Sequence, residues 1–198
     1  MRIWQFAGWT FTNVADDVAQ LLGLAERSLT AREAAMTGDP EGLRTIVRSY
    51  RMLADQTTRT GRELAERPRT LQARDHWRGA ACDGYQQGTT RLVTGVERVS
   101  GSLAHQAAAL LDAAAALESA RAQLLDIKNS FHRAAWDLRA SAARWGTAEE
   151  GNQLVARTHR VCSDATARAA AAQGRLEQAL VHAADRLRAA GDLVYSPR

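Results

Sequence analysis

The chain is poor in residues that interrupt or cross-link helices. Its 198 residues include only three prolines and two cysteines. Lysine is nearly missing as well: Lys128 stands alone, and every other strong base is arginine. Aromatic residues make up 6%. β-Branched residues are sparse and scattered, so strands have little to build with. Two cysteines exclude a disulfide framework and leave a single Cys82–Cys162 bridge as the most that pairing could supply. No apolar stretch approaches the ~20 residues that span a bilayer. The opening Met1-Arg2-Ile3-Trp4-Gln5-Phe6 lacks an apolar run followed by a small-residue cleavage site, so any export is expected to follow a leaderless route. Phosphate loops of the Walker type, Gly-x-Ser-x-Gly elbows and His-Glu-x-x-His pairs are all missing, and enzymatic activity is not expected. No cofactor is implied.

What the chain does have is alanine in great excess. Alanine is the best helix former and loses no side-chain entropy on ordering. With 45% hydrophobic residues a core can be buried, and composition predicts helices packed closely through small side chains. The formal net charge is +4. Arginines and acids are interspersed, which reads as solvated helix faces with i,i+4 pairs and not as a basic stripe; nucleic acid is not expected as a partner.

Four of the aromatics, Trp4, Phe6, Trp9 and Phe11, crowd into residues 1–12, predicting an apolar lead-in that docks on the bundle or forms an exposed interaction patch. Thr12-Asn13 can cap a first helix over 13–36, with Val14, Val18, Leu21, Leu22, Ala25 and Leu29 at helical spacing. Gly38-Asp39-Pro40-Glu41 is the clearest boundary. Gly38 suits a left-handed helix end, Asp39 an N-cap, Pro40 the first helical position and Glu41 the positive end of the dipole. A second helix is expected over 40–66. Its apolar side reads Leu43, Ile46, Val47, Tyr50, Leu53, Ala54, Thr57 and Leu64, a 3-4 spacing suited to packing along another helix. Arg67-Pro68-Arg69 is expected to close it or to bend the chain.

Asp75-His76-Trp77-Arg78-Gly79-Ala80-Ala81 follows. The helical period then resumes through Tyr85, Leu92, Val96, Val99, Leu103, Leu110, Leu117 and Leu124. Gly84, Gly88, Gly95 and Gly101 point to close helix–helix approach or bending. Asn129-Ser130 marks an expected break or kink near 126–130. Trp136 and Trp145 fall on the apolar stripe as core. Thr147-Ala148-Glu149-Glu150 is a capping box, which accounts for Glu150 without chemistry. A last helix is expected over 148–190, ended by Gly191 and followed by a tail. His76, Cys82, His159 and Cys162 are of zinc-ligating types, but nothing in the sequence brings the two pairs together, and no metal is expected.

Helix, Trp-x-Gly turn and helix, preceded by Gly38-Asp39-Pro40, Arg44, Leu53-Ala54-Asp55 and Leu64 and followed by Tyr85, Leu117-Glu118 and Arg121, resemble the WXG family. These are small helical-hairpin substrates of type VII (ESX) secretion. The pattern is closer still to the N-terminal secretion-signal domain of actinobacterial polymorphic toxins. The likeness covers residues 38–125. It implies an all-α, elongated antiparallel bundle built on a helix–turn–helix hairpin, forming one helical module over 1–198. Residues 1–37 supply an N-terminal aromatic segment and helix, and 126–198 a helical extension and tail.

The resemblance further implies a secreted or envelope protein, made in the cytoplasm, that pairs with a small WXG-type helical partner or with itself. Trp77 and Gly79 would present a recognition end to a secretion ATPase, with Tyr85 packing beside it. Core packing also suits Trp77 and Tyr85. The family's Tyr-x-x-x-acid tail is missing: Tyr50 leads to Ala54 and Tyr85 to Thr89, so a partner would supply it. The remaining readings are a membrane-acting or pore-forming helical effector and an arginine-rich nucleic-acid-binding regulator.

Overall fold

A computed structural model describes the backbone over residues 4–6, 9–11, 13–72 and 79–195, and side chains over 13–71 and 79–193. The protein is all-α. Among the described residues the helices are α1 (Val14–Ala35), α2 (Pro40–Gln72), α3 (Ala80–Ala142) and α4 (Ala148–Tyr195). The one departure lies at the front. Trp4–Phe6 and Trp9–Phe11 form a two-stranded antiparallel pair with Trp4 opposite Phe11 and Phe6 opposite Trp9. The aromatic segment is thus strand where composition predicted none, because aromatics favour a pleated backbone locally. Its side chains, and with them the expected docking, lie outside the described residues.

The helix boundaries follow their caps. Asn13 caps α1, its side chain accepting from the Ala15 N–H at 3.1 Å. Gly38 takes φ +134°, and Asp39 Oδ1 accepts from the Glu41 N–H at 3.1 Å to open α2 at Pro40. At α4 the capping box is complete. Glu150 N donates to Thr147 Oγ1 at 3.3 Å, while Glu150 Oε2 accepts from Thr147 N at 3.1 Å and from Gly146 N at 2.9 Å.

Those two backbone donors hold the Glu150 carboxyl below its ordinary value of 4.5. A depressed carboxyl contributes stability that is present above that value and lost as pH falls through the folded-state pKa. Glu150→Gln is therefore expected to flatten the loss of urea resistance between about pH 5 and pH 3. Parallel profiles for the two proteins would remove the cap as its source.

Three boundaries differ from expectation. Pro68 does not close α2, which runs on to Gln72. Its fixed φ is helical, and what it forfeits is one hydrogen bond to the Leu64 carbonyl, a loss accepted one turn before the helix ends. No break occurs at 126–130, because Leu124, Ile127, Phe131, Ala135 and Leu138 form one buried stripe through Asn129-Ser130. Burial of that stripe outweighs the weak propensity of two polar residues. Gly191 does not end α4, which is held beyond it by the buried Ala190, whose carbonyl accepts from Ser102 Oγ at 2.6 Å.

The chain divides into two compact units, residues 1–38 with 117–178, and residues 39–116 with 179–198. In the first, α1 runs parallel to α4 and antiparallel to α3. Cys162 Sγ meets the Leu21 carbonyl at 3.6 Å and Arg32 donates to Gln173 at 2.7 Å, while Lys128 pairs with Glu33 at 2.5 Å and Arg121 donates to the Gly38 carbonyl at 2.8 Å. Three stripes meet in its core: Val18, Leu22 and Leu29 of α1; Leu124, Phe131 and Leu138 of α3; and Leu154, Ala165 and Ala169 of α4. Small residues set the spacing. A Cβ on Gly151 would lie 2.9 Å from Val14 and 3.4 Å from Trp145.

Trp145 is half-buried there, whereas Trp136 is 75% exposed and is not core. Trp136 sits one residue past the buried Ala135, about 100° around the helix, which carries it off the stripe.

Candidate protein-interaction surface

The second unit is built on the α2–α3 hairpin. Thr58 Oγ1 and Ser100 Oγ are 2.7 Å apart, Ser100 Oγ donates to the Ala54 carbonyl at 3.0 Å, and a Cβ on Gly61 would lie 3.1 Å from Val96. As residue numbers rise on one helix they fall on the other, so the two are antiparallel. Val47, Ala54 and Gly61 repeat every seven residues on the buried side of α2, and Cys82 and Thr89 do so on α3. This is the seam spacing of a two-helix coiled coil.

Gly79 stands at the start of α3. Its carbonyl accepts from Cys82 N at 2.9 Å and Asp83 N at 3.2 Å, and its φ is +99°, a region that favours glycine. Nothing lies within 4 Å of the position a Cβ would take, so conformation alone selects glycine here. Tyr85 lies one and a half turns into α3 and is 37% exposed. Trp77 and His76 lie outside the described residues, so of the three residues singled out for recognition the structure places Gly79 and Tyr85.

The four glycines of α3 do not mark close approaches: Gly84, Gly88, Gly95 and Gly101 all have open space where a Cβ would be. Their meaning comes from the stripe two of them share. Tyr85, Gly88, Leu92, Gly95 and Val99 succeed one another at 3-4 spacing on one face of α3. Continued, the same stripe reads Ser102, Gln106, Ala109 and Ala113, and there it is buried or half-buried. Helix α4 occupies that lower part, bonding Ser102 through Ala190 and pairing Arg186 with Asp112.

Above Ser102 the cover runs out. Leu92 is 61% exposed and Val99 36%. Within the described residues α4 runs about 7.5 Å past Ala190, against about 30 Å of α3 between Val99 and Ala80. Roughly 20 Å of that stripe lies beyond the described part of α4. Among the described residues ten of the thirteen exposed large hydrophobics belong to this unit.

The sequence reading missed this stripe because it put every apolar residue of α2 and α3 on one face. Ile46 and Leu53, seven residues apart, are each 44% exposed beside the buried Val47 and Ala54. Two interleaved heptad stripes, one buried and one not, were the legible signal.

The chemistry of the cysteines is quiet. Neither forms a disulfide, both are buried, and they belong to different units. Burial pushes the Cys162 thiol up, which keeps it in the unreactive protonated form. Among the described residues no three metal-ligating side chains cluster, and no helix is long and apolar enough to cross a membrane. Compared with protein-family models, with curated proteins and with solved structures, the chain matches none.

Proposed function

We propose that the chain is a type VII secretion substrate or trafficking domain that acts by pairing with a small helical partner. The partner's helix lies along the exposed stripe of α3 from Tyr85 to Val99. Trp77-Arg78-Gly79 is presented to the secretion ATPase, and the partner supplies the tyrosine-and-acid tail that this chain lacks. The complex leaves by a leaderless route. The chain works by binding and not by catalysis.

One observation carries this reading: a helix-binding stripe that α4 covers along its lower part is left open toward the Gly79 turn. Burying it is worth about 25 cal/mol per Å² of apolar surface removed from water.

Export is the test. Tagged chain is expected in the culture supernatant of a host with an intact type VII system and not in that of its secretion-ATPase deletion. Trp77→Ala and Gly79→Ala should each lower the exported amount by about tenfold, equivalent to ~1.4 kcal/mol of recognition, with unchanged helical circular dichroism. Equal export of wild type and both variants, or export that survives the deletion, would overturn the reading.

A further inference from the structure

Several arginines of this chain tie one helix to another. Arg32 reaches Gln173, Arg121 caps the α1 carbonyls of Met36 and Gly38, Arg175 reaches Gln123 and Arg186 pairs with Asp112. On helix α2 the arginines form a row, which starts at Arg44, paired with Glu41 at 2.7 Å. Arg44, Arg48, Arg51, Arg59 and Arg62 fall at 4-3-8-3 spacing on its outer face, with Asp55 filling the middle of the long step.

Arg48, Arg51, Arg59 and Arg62 are exposed. Among the described residues Arg51, Arg59 and Arg62 take part in no ion pair, and Arg48 donates only to the Thr45 hydroxyl, at 2.9 Å. Arg48, Arg51, Met52, Asp55, Gln56 and Arg59 line a shallow depression on this face, with Met52 56% exposed at its side. The row spans about 27 Å, five turns of helix.

We infer that this face of α2 is a second docking surface, separate from the stripe on α3, and that it takes an acidic α-helix of another protein. Guanidinium forks suit carboxylates in bidentate pairs. From Arg48 to Arg62 the sign pattern is plus, plus, minus, plus, plus, with Arg44 paired to Glu41 before it and Glu66 one turn after it. A phosphate backbone or an anionic bilayer presents negative charge throughout and is repelled at Asp55. A protein helix can answer that position with a base, and then charge sets its register. An exposed methionine among arginines is the composition of a protein interface.

The test uses two helical peptides of roughly 20 residues, matched to the length of the row. One carries glutamates at the facing 3-4 positions with a central lysine opposite Asp55; the other has glutamate there too. By calorimetry with the full chain, the lysine peptide is expected to bind about tenfold tighter, a difference of ~1.4 kcal/mol. Asp55→Arg should reverse the order, and Arg51→Glu with Arg59→Glu should abolish binding of both. All these positions are exposed, so circular dichroism should stay unchanged. Equal binding of the two peptides, an order unmoved by Asp55→Arg, or no binding would overturn the inference. So would tighter binding of duplex DNA of matching length or of phosphatidylglycerol vesicles.

Discussion

Leu22→Ala is expected to destabilise the protein by about 3 kcal/mol, while Leu24→Ala, two residues along the same helix, should cost under about 0.5 kcal/mol. Leu22 is wholly buried in the unit formed by α1, the second half of α3 and most of α4, and Leu24 is 47% exposed. The large value combines lost transfer energy with the cavity left behind. That cavity should persist, because buried Ala165 and Ala169 on α4 have no side chain long enough to swing into it. Urea unfolding followed at 222 nm measures both variants. Similar midpoints for the two would mean that α1 does not pack through the Val18–Leu22–Leu29 stripe.

Leu92→Asp should weaken pairing with the helical partner by at least about 100-fold, or ~2.7 kcal/mol. Two terms act together. The complex loses the burial of a leucine, worth about 1.5–3 kcal/mol, and must desolvate a carboxylate that has no counter-charge in the stripe. The free protein should fold as before, since Leu92 is largely in water. Leu125→Asp is the control: it is equally exposed, at 58%, but belongs to the other unit and should leave the affinity unchanged. Sedimentation velocity of the chain mixed with the proposed helical partner reads the effect. Pairing that survives Leu92→Asp, or falls equally with Leu125→Asp, places the interface elsewhere.

Most of the helical plan was legible without coordinates. Asn13, Gly38-Asp39-Pro40 and Thr147-x-x-Glu150 are local signals, since a cap is made by residues within four positions of one another. Their hydrogen bonds appear where the spacing puts them. Errors arose wherever a distant contact overruled a local preference. Asn129-Ser130 stays helical because Ile127 and Phe131 on either side are buried, and Gly191 is bypassed because Ala190 is held by Ser102 from another helix. Trp136 was misplaced by reading the stripe one residue out of phase.

The candidate surface was only half legible. The glycines of α3 were noticed, but a sequence cannot say whether a glycine faces a neighbour or water. Gly61 and Gly151 face neighbours, while Gly88 and Gly95 face open space. The sequence by itself determined that the chain is helical, where most of its helices begin, and which glycine opens α3. Only the tertiary structure decided which of two interleaved apolar stripes is buried, and where α4 stops covering the other. Periodicity records that a face is apolar; what lies against that face depends on residues a hundred positions away.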